Sequence, residues 1–440
     1  MWSSQNEQDN RHYGRHAKIP VLEPSDANEA KIFTELAFDL SEEFDSVFLL
    51  RLTTRISHSS GIVELGTRKN IEVKGYVKDI KKRLVLPAHA RILHQIVEER
   101  IRRLTDYAEK FPFTHPISPK LIKKFARSVK KLIVIEEGDP VLEQEIKALG
   151  IDVIGKEKIP LCGELDPTAI KRSFGKKIYK TKIEVKDISE RPPVLCPGCP
   201  ERGVFYIISK LKLTATGDIG CYTLGALPPL NAMDTCICMG ASVTNAYGME
   251  RMGGAELSKK LVAVIGDSTF FHSGITGLIN AVYNKGNLNL IILDNLTTAM
   301  TGHQPHPGTG KLARGEEGKR ILPEDVARGC GVEFVRVVDP MDLKKTEQAI
   351  KEALNYNGVT VLVFRSPCVF LKKPSPYLVV NTDKCNGCKL CLKLGCPAIN
   401  LREIEKREKP VAFIEPTLCN GCNLCVQVCM HNAITTSKKD

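Results

Sequence analysis

Eight of the sixteen cysteines of this 440-residue chain fall between positions 385 and 429, in two runs of one form. Cys385, Cys388 and Cys391 keep C-x2-C-x2-C spacing and are followed by Cys396-Pro397. Cys419, Cys422 and Cys425 repeat it and are followed by Cys429-Met430. Three thiolates this close in sequence can face one iron–sulfur cube, whereas a zinc ribbon draws two ligands from each of two loops. Asn386-Gly387 and Asn420-Gly421 stand at matching places, so the stretch is an internal repeat. Soft ligands in this number must stay reduced, which puts the chain in a reducing cytoplasm.

In two-cluster ferredoxins the fourth cysteine of each run ligates the other cluster. On that pattern Cys385, Cys388, Cys391 and Cys429 hold one [4Fe–4S] cluster, and Cys419, Cys422, Cys425 and Cys396 hold a second, in a ferredoxin-like module over 376–437. Cys196-Pro197-Gly198-Cys199 supplies half of a further site. Its other half must come from among Cys221, Cys236, Cys238, Cys330 and Cys368, and spacing does not choose between them. A zinc tetrad of Cys196, Cys199, Cys236 and Cys238 is chemically open.

The second constellation lies in 261–304. Leu261–Ile265 is an apolar, β-branched run ending in Gly266-Asp267-Ser268; helical spacing follows over 271–283, then a second buried strand over 288–293 that closes at Asp294-Asn295. Strand, helix and strand of these lengths form a βαβ unit whose parallel strands aim their carboxyl ends and a helix N-terminus at one crevice. An anion fits there: Gly266 allows the tight turn, the helix N-terminus offers free N–H groups, and Asp267 offers a hard oxygen for magnesium, with Asn295 as a second. The bland alternative is an ordinary crossover in which Asp267 only caps a helix. A Walker loop and a G-x-G-x-x-G fingerprint are both missing, against a nucleotide site of either kind. The pattern resembles the thiamine-diphosphate motif. That resemblance implies Gly266, Asp267, Ser268, Asn295 and Thr297 as cofactor-binding residues, with Asp267, Asn295 and the Thr297 carbonyl on Mg2+.

The fold class is α/β: a parallel-sheet domain at 190–373, the ferredoxin-like module behind it, and incomplete α/β segments at 1–105 and 106–180 ahead of it. Helices are expected over 30–43, 91–110, 118–129 and 140–149, and strands over 45–54, 131–137 and 152–155, with a basic linker at 171–191. His58, in the polar loop 55–61, is at least as well read as a turn residue as a site residue. Glu136-Glu137-Gly138-Asp139 is explained by a helix start as readily as by a metal. The net charge of +12 is spread among acids, as in ERIRRLTDYAEK, so solvated helix faces or an acidic protein partner are favoured over nucleic acid. The first residues, MWSSQNEQDNRHYGRHAK, contain no apolar signal region, and no run of 18 apolar residues could span a membrane.

A thiamine-diphosphate domain joined to a ferredoxin module resembles the 2-oxoacid:ferredoxin oxidoreductases, most nearly the alpha subunits of the indolepyruvate group. RPPVLCPGCPERG, TGDIGCYTLGALPP, CICMGAS, GDSTFFHSGITGLINA, LDNLTTAMTGHQPHPGTG and the two cysteine runs carry the likeness, and SSQNEQDNR, LEPSD and LLRLTTRISHS extend it more thinly toward the start. It implies decarboxylation of an aryl 2-oxoacid, indolepyruvate, to an aryl-acetyl-CoA, with electrons passing through clusters to an external ferredoxin. It also implies a smaller beta subunit and hence a hetero-oligomer. A third [4Fe–4S] cluster would fall at Cys196, Cys199, Cys221 and Cys368, close to the thiamine, since the tail module is expected to lie a whole domain away from it. The loop Met300–Gln304 begins five residues after Asn295, so Thr301, His303 and Gln304 are candidates for substrate contact. In that family a glutamate of the pyrimidine-binding domain activates the cofactor; this chain starts inside that domain, and no residue can be given the role. The rivals are a pyruvate or branched-chain substrate, and a non-catalytic electron carrier.

Overall fold

A computed structural model describes residues 8–70, 78–83, 86–111, 119–178, 192–405 and 407–437. The first residues of SSQNEQDNR and the linker from 179 to 191 lie outside them. The chain divides into two compact units, Met1–Lys186 and Asp187–Asp440.

The first unit is mostly helical. Its long helices, Ala27–Phe44 and Pro87–Ala108, meet through Leu40, Phe44 and Leu104. The second runs through the division expected at 105. Asp26 starts the first helix by accepting from the Glu29 N–H at 2.8 Å, while the Glu29 carboxylate returns to the Ser25 N–H, also at 2.8 Å. The two bonds tie the first turn to the residues that lead into it. Strand expectations fared worse here. The strand expected over 45–54 shrinks to Leu49–Leu50, paired with Val21–Leu22, and Thr54–His58 is helix rather than polar loop. Residues 131–137 and 152–155 share one bridge, Ile133 to Ile154. A strand needs a partner of its own length, and neither stretch finds one. His58 is exposed and bonds back to the Thr54 carbonyl at 2.8 Å. Glu136 accepts from the N–H groups of Leu142 (3.0 Å) and Glu143 (2.9 Å), so it serves a helix start.

The second unit is built on a six-stranded parallel sheet. Its strands are β1 (Thr214–Gly217), β2 (Thr235–Cys236), β3 (Leu261–Gly266), β4 (Asn289–Asp294), β5 (Phe334–Val338) and β6 (Thr360–Arg365), in the order β2-β1-β3-β4-β6-β5. Both central strands, β3 and β4, are buried along their whole length, as parallel strands covered on both faces must be. Val262 and Val264 face the side covered by α1 (Glu201–Leu211) and α4 (Leu343–Leu354). Leu261, Ala263 and Ile265 face the side covered by α2 (Ala241–Ser258), residues 267–283 and α3 (Pro323–Gly329). That alternation is the period of two of a strand. Each buried valine, leucine or isoleucine among them stabilises the fold by roughly 1.5–3 kcal/mol relative to its exposed state. The helix after β3 starts at Asp267 and contains one π-turn, Phe270–Gly274, before continuing as Ile275–Tyr283. Such turns are uncommon and gather at functional sites.

The tail forms two antiparallel pairs, β7 (Leu378–Val380) with β10 (Ile434–Thr436) and β8 (Ile399–Arg402) with β9 (Val411–Ile414). Its apolar residues, among them Leu378, Leu394, Ile399 and Leu424, share one core with Val262 and Ile291 of the sheet. The module therefore does not lie a domain away, as expected, but packs on the face beneath α1. Loop 196–199 is its direct neighbour: Asn420 Nδ2 donates to the Pro197 carbonyl at 2.7 Å.

Candidate functional site

The register pairs Gly266 with Leu293, so Asp267 and Asn295 leave the carboxyl ends of adjacent parallel strands. Asp267 is buried, 3% exposed. Its Oδ1 accepts from the Ser268 N–H at 2.7 Å and its Oδ2 from the Leu296 N–H at 3.0 Å. Leu296 has φ 63°, a left-handed conformation that strains a leucine and turns its N–H back onto the carboxylate. Thr297, 4% exposed, donates its N–H to Asn295 Oδ1 at 3.2 Å. His306 Nδ1 accepts from the Gly308 N–H at 3.1 Å, which leaves its proton on Nε2. That nitrogen lies 3.1 Å from Asp267 Oδ2 yet off the line of a hydrogen bond, a buried donor without a proper partner.

Three carboxylates are buried together here. Glu201 Oε1 accepts from Asn295 Nδ2 at 2.9 Å, and burial, with the charge of Asp267 added, pushes the Glu201 carboxyl up to about 7. Asp294 Oδ2 is paired with Arg365 Nε at 2.5 Å, while its Oδ1 is buried without a partner. Burial raises the Asp294 pKa, although Arg365 opposes the shift. Arg365 also grips Glu324 at 2.9 and 2.6 Å, so one guanidinium serves two acids. Glu201, Asp294, Asn295 and Ser366 border one small cavity. A buried surplus of carboxylate with orphaned polar atoms suits a hard cation, and the N-terminus of the 267–283 helix beside it suits a diphosphate. Gly266 keeps the wall thin: a Cβ there would stand 2.7 Å from Tyr222 Cε1.

The same strand ends carry thiols. Cys368 follows β6 and donates its N–H to the Asn295 carbonyl at 2.9 Å; Cys221 opens the turn after β1; Cys199 Sγ lies 3.8 Å from Glu201 Oε2. Burial, then the Glu201 charge, raises the Cys199 thiol, and the same two causes push Cys221 up to about 12. Burial raises Cys368 as well. Cys196 bears on all three, and Cys368 bears on Cys221. Cys236 instead senses Asp218 and Cys238, after burial. Cys199, Cys221 and Cys368 thus share the influence of Glu201, with Cys196 acting on all three, while Cys236 stands with Asp218.

In the tail, Cys385, Cys388, Cys391 and Cys429 line one small cavity, and Cys396, Cys419, Cys422 and Cys425 line another. The fourth cysteine of each run stands with the other run's first three. Burial pushes Cys391 up to about 11, with Cys385, Cys388 and Cys429 adding to it; burial likewise raises Cys425, with Cys422, Cys396 and Cys419 adding to that shift. Among the described residues no three His, Cys, Asp or Glu side chains converge tightly enough for a single metal ion. Sulfurs around zinc would stand about 3.8 Å apart, given Zn–S bonds of ~2.3 Å. Thiols spread around a cavity suit a larger inorganic core. Backbone N–H groups already point at this sulfur shell, from Ala412 to Cys385 (3.5 Å), Leu378 to Cys419 (3.4 Å) and Ala433 to Cys429 (3.3 Å).

Thr301, His303 and Gln304 are exposed. Thr301 Oγ1 donates to Gln304 Oε1 at 2.5 Å, Gln304 Nε2 to the Thr301 carbonyl at 2.7 Å, and the His303 ring rests on Phe370. Thr301 and Gln304 close a turn on each other, and His303 donates its N–H to the Thr298 carbonyl at 3.0 Å. Sequence reasoning missed Glu201, Arg202, Asp294 and His306. Two of them stand beside residues already singled out, Glu201 two places after Cys199 and Asp294 just before Asn295, and adjacency was the one signal available.

Residues 218–364 match the family described as thiamine pyrophosphate enzyme, C-terminal TPP binding domain, and residues 378–433 match the 4Fe-4S dicluster domain. Indolepyruvate oxidoreductase subunit IorA of Archaeoglobus fulgidus is 39% identical over 468 residues, covering 91% of this chain and 74% of its own. The protein of the same name from Thermococcus kodakarensis is 38% identical over 488 residues, covering 91% and 75%. Among solved structures, 2-oxoglutarate:ferredoxin oxidoreductase from Magnetococcus marinus is 20% identical with a TM-score of 0.35 over 41% of this chain and 66% of its own, too distant a likeness to carry weight.

Proposed function

The chain belongs to the IorA family of indolepyruvate oxidoreductase subunits, and we propose that, with a smaller beta subunit, it oxidatively decarboxylates aryl 2-oxoacids, indolepyruvate foremost, to aryl-acetyl-CoA with ferredoxin as electron acceptor. Thiamine diphosphate, when bound, stabilises the carbanion left as a 2-oxoacid loses carbon dioxide, and the protein supplies position and electrostatics. In this reading Asp267, Asn295 and the Thr297 carbonyl hold Mg2+, and Ser268 and the helix N-terminus receive the diphosphate over Gly266. Cys196, Cys199, Cys221 and Cys368 hold a [4Fe–4S] cluster nearest the cofactor. Cys396, Cys419, Cys422 and Cys425 hold a second, and Cys385, Cys388, Cys391 and Cys429 a third. Thr301, His303 and Gln304 on the rim meet the aryl group.

The observation that carries this reading is Glu201. One of its oxygens takes the amide of Asn295 and the other lies against Cys199, so the cation site and the four-thiol site share one side chain. An electron leaving a cofactor in the crevice would have its first acceptor next door. No helix among the described residues is long and apolar enough to cross a membrane. The sixteen cysteines, all free, fit the reducing cytoplasm in which we place the protein.

The test uses the full chain with its smaller subunit, thiamine diphosphate, Mg2+, coenzyme A and ferredoxin, and compares ferredoxin reduction by indolepyruvate, pyruvate and a branched-chain 2-oxoacid. A kcat/KM at least tenfold higher for indolepyruvate is expected. A preference for either other acid refutes the aryl assignment. Clusters that dithionite reduces but no 2-oxoacid does would make the chain an electron carrier only.

A further inference from the structure

Arg202 has no part in the reading above, and it is the largest of the fully buried side chains, 1% exposed. It lies in the first turn of α1, directly after Glu201. Its Nη1 donates to the Leu394 carbonyl at 2.7 Å; its Nη2 donates to the carbonyls of Leu195 and, at 3.1 Å, Cys196; its Nε has no partner. Every bond it makes is to a neutral oxygen. A guanidinium does not lose its proton in a protein. A permanent cation sealed from water without a counter-anion is strongly destabilising, so the fold must place negative charge beside it when the protein is complete.

The location shows where that charge would come from. One end of the guanidinium is bonded to the loop of Cys196 and Cys199, and the other to the carbonyl two residues before Cys396. Arg202 lines the cavity of Cys396, Cys419, Cys422 and Cys425. Its field is felt at the thiols of Cys199, Cys396 and Cys422, on both sides. The cavity of Cys385, Cys388, Cys391 and Cys429 is not lined by it.

We propose that Arg202 is the shared counter-cation of two iron–sulfur clusters, the one on Cys196, Cys199, Cys221 and Cys368 and the one on Cys396, Cys419, Cys422 and Cys425, and that it raises the reduction potential of both. The inference rests on the cluster assignments proposed above. A [4Fe–4S] core with four thiolates is anionic, and each one-electron reduction adds one further negative charge while the guanidinium keeps all its protons. A fixed cation stabilises the reduced state more than the oxidised one, most strongly where water is excluded. The third cluster, without this neighbour, is the internal reference.

Arg202→Gln keeps hydrogen-bond donors and removes the charge; Arg202→Lys keeps the charge and loses the fork. Both are measured in the full chain by iron content and by redox titration followed by electron paramagnetic resonance. With iron retained, Arg202→Gln should lower the reduction equilibrium constant of the two flanking clusters about tenfold or more, about 59 mV for a one-electron couple. The Cys385-type cluster should not move, and Arg202→Lys should return the other two toward wild type. Full iron with unmoved potentials in Arg202→Gln would reduce Arg202 to a strut between loops and overturn the proposal. If Arg202→Gln loses iron, Arg202→Lys decides: potentials near wild type support the counter-cation, and potentials lowered about tenfold in equilibrium constant overturn it. A wild-type chain lacking any cluster on the Cys196 set would contradict that assignment alone, leaving the prediction for the Cys396 set standing.

Discussion

Replacing Cys429 and Cys388 by alanine, singly and together, tests how the tail cysteines are shared. In sequence Cys429 ends the second run, but in the structure it lines one small cavity with Cys385, Cys388 and Cys391. A [4Fe–4S] core bound by four thiolates loses a corner ligand with either substitution, so each single variant should fall by about four irons per chain. Because both ligands belong to one cavity, the double variant should lose the same four and no more. Run-by-run ligation would put Cys388 and Cys429 on different clusters, and the double variant would then lose about eight. Cys396, Cys419, Cys422 and Cys425 are untouched by either change. Each substitution also removes little of the fold: Cys429 Sγ accepts one hydrogen bond, from the Ala433 N–H at 3.3 Å, worth about 1 kcal/mol. The assay is iron and acid-labile sulfide per chain, with a spin count after dithionite reduction. A double variant with twice the loss of either single one refutes the crossed arrangement.

Three further outcomes follow from the geometry. Glu201→Leu removes the acceptor of Asn295 Nδ2 and should weaken Mg2+-dependent thiamine diphosphate binding about tenfold to a hundredfold, with Glu201→Gln recovering most of it; equal losses in both would exclude a positioning role. Gly266→Ala drives a methyl to 2.7 Å from the Tyr222 ring and should cost about 1–3 kcal/mol, read as a lowered Tm; an unchanged Tm would show the wall gives way freely. In the first unit, burial pushes the Asp9 carboxyl up, but hydrogen bonds and charge from Arg11 outweigh it and hold it at about 2, below its ordinary 3.8. The folded value lies below the unfolded one, so this stabilisation is complete above pH 4 and is lost as pH falls through 4 toward 2. Urea midpoints over that range should fall less in Asp9→Asn than in wild type, and parallel curves would contradict the assignment.

The parts of the site legible in the sequence were those whose chemistry fixes spacing along the chain. Three thiolates on one cube must be near neighbours, and a βαβ unit sets the interval from Asp267 to Asn295, so both constellations could be read from one sequence. The parts that were not legible depend on pairs far apart in the chain. Glu201 meets Asn295 across 94 positions and Arg202 meets Leu394 across 192. Apart from the place of Glu201 two residues after Cys199, nothing local marks either residue. The expected strands at 45–54 and 131–137 failed for a related reason: their β-branched residues are real, but pairing is a property of two segments, and these find partners of one or two residues. The π-turn at Phe270–Gly274 interrupts a helix whose apolar spacing showed no break.

Magnesium-dependent binding of thiamine diphosphate to the wild-type chain and to Asp267→Ala, with iron counted on the same samples, bears most directly on the central claim. Asp267 follows β3 where the helix N-terminus, Asn295 and the buried carboxylates converge, while every proposed cluster ligand belongs to another segment. The expected result is saturable binding in the wild type, loss of binding in Asp267→Ala, and the same iron content in both. Unchanged binding in Asp267→Ala would contradict the account, because the crevice at the ends of β3 and β4 would then not be where the cofactor is held.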